Sequence, residues 1–218
     1  MPCSTLNQQL AFLREIDRLK SVIRQSPLLD RSRKENSAEH SWHLAMYALL
    51  LQEYAAGTVD AARVIQMLLI HDIVEVDVGD TPIHHVPAGA SQAELEARAA
   101  VRLFGMVPGD QGATLLALWR EFELGQSDDA KFAKALDRVQ PLLVNIGTAG
   151  GTWTENNVTL EQVLQRYGPT IARGSPTLWA ACEQWVREHF AARDERQGDS
   201  ASVPRANPDP HQVLSDDQ

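Results

Sequence analysis

One stretch, Ile70-His71-Asp72-Ile73-Val74-Glu75-Val76-Asp77-Val78-Gly79-Asp80, concentrates the groups in this chain that could do chemistry. It follows an apolar run, Val64-Ile65-Gln66-Met67-Leu68-Leu69, that reads as a buried helix. Burying an unpaired carboxylate is costly. A histidine and four carboxylates at the end of such a helix must therefore bind a cation, pair with bases or face a wet cleft. If the helix continues, His71 and Glu75 are i and i+4 on one face, with Asp72 about 100° round the axis from His71. An ion in the angle between His71 and Asp72 could touch both. It would still need ligands from elsewhere.

His40 and Asp137 are the strongest candidates. His40 lies in Glu35-Asn36-Ser37-Ala38-Glu39-His40-Ser41-Trp42-His43, just before an apolar run. Asp137 lies in Lys134-Ala135-Leu136-Asp137-Arg138-Val139, flanked by core-type residues. Taken singly, each has an ordinary reading. His40 could be a hydrogen-bonded core imidazole, and Asp137 could pair with Arg138 or Lys134. Together, two histidines and two aspartates make a mixed N/O shell suited to Mn, Fe, Co, Ni or Zn, less so to Ca.

His40, then His71-Asp72, then Asp137, in that order, resemble the H…HD…D signature of the HD-domain superfamily of metal-dependent phosphohydrolases. The blocks Glu35 to Ser41, His71 to Glu75 with Gly79-Asp80, and Lys134 to Leu142 are similar to its small 5′-deoxynucleotidase branch, over roughly residues 6–190. The resemblance implies a helical HD bundle holding one divalent ion (Mn, Co, Fe, Ni, Zn or Mg) on His40, His71, Asp72 and Asp137. It implies that Glu75 acts on the attacking water, that Asp80 helps at the substrate and that Arg24 contacts the phosphate. The substrate implied is a small phosphorylated molecule, a (deoxy)nucleoside 5′-monophosphate, and relatives of this kind commonly form homodimers. In the family pattern a tryptophan beside the arginine is associated with rejecting a ribose 2′-hydroxyl. Here the sequence is Arg24-Gln25-Ser26-Pro27, so the sugar preference is open.

The chemistry also stands without the family. A phosphomonoester needs charge neutralisation and a nucleophile in line with the leaving alkoxide, and a cation supplies both. Glu75 could take the water's proton, or orient an imidazole instead. Asp80 follows a glycine bend that could aim it into the cleft, or it caps the next turn. Of the bases Arg24, Arg31, Arg33 and Lys34, Arg24 and Arg33 are chosen for the phosphate, because a guanidinium grips it with parallel hydrogen bonds. His43 reads as partly buried beside Trp42, and His84-His85 as a surface loop. Rival readings are an HD hydrolase of another small phosphate or a nucleoside triphosphate, and a metal-stabilised helical module that binds a nucleotide or protein without catalysis.

Helices must position these groups. Periodicity gives an amphipathic helix over residues 6–24, ended by Pro27, then a charged connector over 30–36. A second helix starts at Ser37 as N-cap and stops at Gly57. Thr58 or Asp60 caps a third that leads into the acidic stretch. After a loop to residue 90, a Ser91/Glu94 capping box opens another helix, and further helices cover 111–124 and the segment after Ser127. Thr159/Gln162 open a helix that Gly168-Pro169 interrupts, and a last helix begins near Pro176. With no alternating β-branched run, the fold class is all-α, a single HD-domain bundle over 1–193 with an expected disordered tail over 194–218.

Composition sets the limits. The 218 residues suffice for one full-sized core, and 44% are hydrophobic. A net charge of −9 without a basic run excludes a nucleic-acid duplex as a natural partner. Cys3 and Cys182 are in no metal or redox spacing. With no signal peptide and no apolar run of membrane-spanning length, the expected location is cytoplasmic. Apolar helical surface, chiefly on the last helix, suggests a homodimer.

Overall fold

The computed structural model describes residues 2–80 and 91–202. Helices dominate them, in the order α1 (Pro2–Ile16), α2 (Ser37–Leu51), α3 (Ala61–Ile70), α4 (Glu75–Val78), α5 (Ser91–Phe104), α6 (Gly109–Leu124), α7 (Asp128–Gly147), α8 (Gly151–Glu155), α9 (Leu160–Gly174) and α10 (Pro176–Ser202). Between α1 and α2 a two-stranded antiparallel hairpin pairs β1 (Ile23–Pro27) with β2 (Lys34–Asn36). The all-α expectation holds for the bundle, and the hairpin is its one departure among the described residues.

Local sequence explains most boundaries. Asn36, not Ser37, caps α2: its side chain accepts from the Glu39 amide while Glu39 accepts from the Asn36 amide. Asp60 caps α3, Ser127 caps α7, and Thr159 with Gln162 forms the box that opens α9. Each satisfies amides that the first turn of a helix leaves without partners.

Four elements differ from their sequence expectation. The first helix stops at Ile16, and a 3-10 turn (Asp17–Ser21) leads into β1, so Arg24 stands on a strand. The third helix ends at Ile70, and His71–Val74 tighten into 3-10 geometry. Pro169 lies inside α9 without ending it. Its neighbour Gly168 lies against Trp179, whose ring a Cβ would meet at 2.8 Å, so α10 braces the helix at that point. Last, α10 runs on to Ser202 rather than ending near Arg193. The rest of the tail, and the loop with His84 and His85, lie outside the described residues.

α7 is the spine. Leu136 and Phe132 belong to one apolar cluster with Leu44, Leu68, Phe104 and Trp119. Val139 and Leu142 belong to a second with Trp153, Tyr167, Ile171 and Phe190. Asp137 therefore stands on the helix that both clusters fix in place. Most apolar side chains of α10 turn inward; Trp185 is its one large exposed apolar side chain among the described residues. Exposed apolar stripes lie instead on α1, at Leu6, Leu10 and Leu13, and on α2, at Trp42, Met46, Leu49 and Leu50. Among the described residues no helix is long and apolar enough to cross a membrane.

Candidate metal centre

Three elements bring their donors to one point. His40, in the first turn of α2, is fully buried, and its Nε2 lies 3.1 Å from Oδ1 of Asp137 on α7. His71 Nε2 lies 3.0 Å from Asp72 Oδ1 and 3.7 Å from Asp137 Oδ1. His40, His71 and Asp72 bring ligand atoms within 4.8 Å of one another, and Asp137 joins through its contacts with both imidazoles. The four residues singled out as ligands are thus brought together.

The surroundings fix the tautomer of His71. Its Nδ1 is 2.8 Å from the Leu68 carbonyl, an acceptor, so Nδ1 carries a proton and donates it there. That leaves Nε2 as the nitrogen facing two carboxylates, buried and without a hydrogen-bond partner. Carboxylates crowded around such a nitrogen need a positive charge between them, which a bound metal ion supplies or, without one, the ring's own second proton. Two imidazoles and two carboxylates are a donor set that fits a divalent transition ion. Trp119 Nε1 donates to the His71 carbonyl at 3.1 Å, and the Phe122 ring lies 5.0 Å from the imidazole, so α6 holds both the backbone and the ring of His71.

The 3-10 turn changes which residues align. In that geometry i and i+3 eclipse, so Glu75 falls over Asp72 rather than following His71 at i+4. Burial and the nearby Asp72 push the Glu75 carboxyl up to about 9, against the pull of Arg24. Ser37 donates to its other oxygen. Asp80 is also raised, chiefly by burial. Asp137 goes the other way. Burial would raise it, but Arg138 and both imidazoles hold it well below the usual carboxylate range. Both histidines are raised: burial opposes their charge, yet Asp137 with Glu35 at His40, and Asp72 with Asp137 at His71, outweigh it.

Arg24 reaches in from β1 and is nearly buried. Its Nη1 lies 2.9 Å from Asp72 Oδ2, 3.4 Å from Asp80 Oδ1 and 3.9 Å from Glu75 Oε1. Burial alone would make it a weaker base; Asp72, Asp80 and Glu75 more than compensate, so it stays charged. A cleft of about 180 Å³ opens beside these groups, with Lys134, Arg138, Glu96 and Glu123 also on its walls.

Arg33 is not brought to this point. It is exposed and grips Glu39 with two nitrogens on the outer side of the hairpin. His43 is half-buried against Tyr47 and close to Gln140. Sequence reading passed over Glu35 as a ligand-supporting residue, because residues 30–36 read as a charged connector. In a strand, alternate side chains face opposite ways, so Glu35 turns inward between half-buried Lys34 and Asn36. Its Oε2 lies 3.4 Å from His40 Nδ1 and 3.6 Å from Arg24 Nε, and its Oε1 accepts from Gln140 at 2.8 Å.

A profile of the HD domain matches residues 16–179. The chain belongs to the HD-domain family. The resemblance carried by His40, His71-Asp72 and Asp137 is therefore borne out at that level. The 5′-deoxynucleotidase HDDC2 of Mus musculus is 30% identical over 136 residues, 62% of this chain and 66% of that protein, just short of two thirds of its length. The 5′-deoxynucleotidase YfbR of Shigella flexneri is 35% identical over 109 residues, 46% of this chain and 54% of that one. Among solved structures, a predicted metal-dependent phosphohydrolase from Magnetospirillum magnetotacticum MS-1 is 50% identical with a TM-score of 0.81, covering 86% of this chain and 96% of that one. A hypothetical protein from Pyrococcus furiosus shares the fold at 20% identity and a TM-score of 0.56.

Proposed function

We propose that this HD-domain protein is a metal-dependent phosphoric monoester hydrolase, and that its substrates are nucleoside 5′-monophosphates. One observation carries the reading: the orphaned Nε2 of His71, buried among His40, Asp72 and Asp137, lies beside a buried guanidinium that could meet a phosphate. The similarity to curated 5′-deoxynucleotidases supports the nucleotide half of the reading.

His40, His71, Asp72 and Asp137 would hold one divalent ion, which when bound supplies Lewis acidity and a water of lowered pKa. The chain's own residues do the rest. Glu75, held by Ser37 beside Asp72, is the carboxylate placed to accept the proton of the attacking water. Arg24 contacts Asp72, Asp80 and Glu75 together, so it keeps these like charges at one wall while it offers its guanidinium to the phosphate. Asp80, next to Gly79 at φ 76° and raised chiefly by burial, is placed to give a proton to the leaving alkoxide or to orient it. Lys134 and Arg138, on the cleft wall, add positive charge that Arg33 does not bring.

Arg24-Gln25-Ser26-Pro27 carries no tryptophan, so the sugar preference is left to the assay. The apolar stripe on α2 is the proposed face of a homodimer, and sedimentation of a Leu50→Glu variant tests it. The test of function is phosphate release from ribo- and deoxyribonucleoside 5′-monophosphates, with Mn, Co, Mg and Zn in turn. Release from monophosphates of both sugars supports the reading. Turnover of triphosphates alone, or of none, overturns it.

A further inference from the structure

The basic hairpin turn has a use that the metal centre leaves unassigned. A cavity of about 440 Å³, larger than the metal cleft, lies between that turn and the junction of α7 with α8. Arg31, Arg33 and Lys34 line one side; Pro27, Thr148, Ala149 and Thr154 contribute a more apolar remainder. Glu155 is the one acidic side chain on its wall, so the lining carries two more positive than negative charges in a chain whose net charge is −9.

The cations are not equally engaged. Lys34 pairs with Glu155 at 2.8 Å, and Arg33 with Glu39. The Arg31 side chain has no ion pair or hydrogen bond among the described residues, and it is exposed at the cavity. A second observation is independent of charge. Three non-glycine residues have left-handed backbone among the described residues: Arg31 (φ 60°), Ala149 (φ 57°) and Asn157 (φ 53°). Asparagine adopts that region readily, whereas arginine and alanine do so at a cost that glycine would avoid. Arg31 and Ala149 both line this one cavity, on opposite sides of it in sequence. Strain kept in place at residues around a shared space points to a use for the side chains it presents.

We propose that this cavity is a second, metal-independent binding site for a phosphorylated small organic molecule. Arg31 is its primary anion contact, Lys34 and Arg33 add charge, and the apolar wall takes the organic portion. Phosphate suits the site because its several acceptor oxygens can engage more than one cation at once. The metal cleft is separate. It shares no lining residue with this cavity, although Arg24 and Lys34 stand on the paired strands of one hairpin.

The probes are phenylphosphonate, a phosphomonoester mimic that resists hydrolysis, and inorganic phosphate. Each is titrated calorimetrically into the Mn-loaded full chain, before and after chelation. The expected result is binding that survives chelation and weakens about tenfold in Arg31→Gln and in Arg31→Gly. Arg31→Gly should also raise the thermal midpoint of the ligand-free protein, because it relieves the left-handed strain while removing the charge. Lost binding with gained stability separates an anion contact from a structural arginine. The proposal is overturned if neither probe binds at millimolar concentration after chelation, or if the surviving binding is unchanged in both variants. These outcomes do not depend on whether nucleotides are hydrolysed, so the reading of the metal centre is tested apart from this one.

Discussion

Two stretches of α7, one around Asp137 and one from Val139 to Leu142, meet surroundings built on opposite rules. Toward α2 and the 3-10 turn, Asp137 meets His40 and His71 in a buried cluster of imidazoles and carboxylates. Toward α9 and α10, Val139 and Leu142 meet Trp153, Tyr167, Ile171 and Phe190 in an apolar cluster. The second arrangement stabilises the fold by burial, as cores do. The first opposes it, because the carboxyls of Asp72, Glu75 and Asp80 are brought together out of water around one arginine. The contrast teaches that the apolar side positions the polar side. A cluster with so little reason to assemble by itself needs a helix held rigidly from behind.

Replacing residues on the polar side should cost function far more than fold. The largest effect is expected for His71→Ala, with phosphate release down by a thousandfold or more, on the order of the loss when a metal site is broken. Metal content should fall with it while the far-ultraviolet circular dichroism stays helical. Retained metal and turnover would erase the contrast. Glu75→Gln should come next, lowering kcat by about 10²–10⁴-fold with metal stoichiometry unchanged. Equal loss of metal would make Glu75 a support for the ligands instead.

On the apolar side, Trp153→Ala should lower stability by about 3–5 kcal/mol in denaturant titration. The kcat of the folded fraction should hold near that of the parent. A kcat that collapses while the fold persists would show that the two sides are not divided in this way.

The smallest effect expected is on pH dependence. In metal-stripped protein Glu75 is raised from 4.5 to about 9, so the folded state keeps a proton that the unfolded chain releases between these values. Its stabilisation is complete below about 4.5 and is lost as pH rises through about 9. His40, His71 and Asp80 are raised as well and act in the same direction. Asp137, held low, acts oppositely and loses its contribution as pH falls. The thermal midpoint of the stripped protein should therefore decline from pH 6 toward pH 9, by about 2–4 °C per kcal/mol lost. Adding Mn at neutral pH should release protons. A midpoint that rises toward pH 9 would contradict the charge arrangement described.

Much of the polar side was legible in the sequence, because a carboxylate or imidazole inside an apolar helical stripe is conspicuous. His40, His71, Asp72 and Asp137 stand out for that reason, and their convergence needed only helices at the right places. Capping residues gave several boundaries for the same local reasons. Arg24 and Glu35 were less readable. Their shared hairpin is short and carries Pro27, so periodicity ran the first helix through β1 and took β2 for a connector. Arg33 was chosen for charge alone, and charge does not say which face of a turn a side chain leaves from. The 3-10 turn at His71 was invisible as well, since a helix that tightens keeps its apolar pattern while it changes which neighbours eclipse. Pro169 misled because a proline inside a helix need not end it, and the packing of Gly168 against Trp179 comes from another helix.

The most direct test of the account is a crystal of the protein soaked in Mn²⁺ and measured at a wavelength where manganese scatters anomalously. The account predicts one strong peak per chain, within bonding distance of imidazole nitrogens of His40 and His71 and of carboxylate oxygens of Asp72 and Asp137. No peak among these four side chains, or a peak held without either histidine, would contradict it.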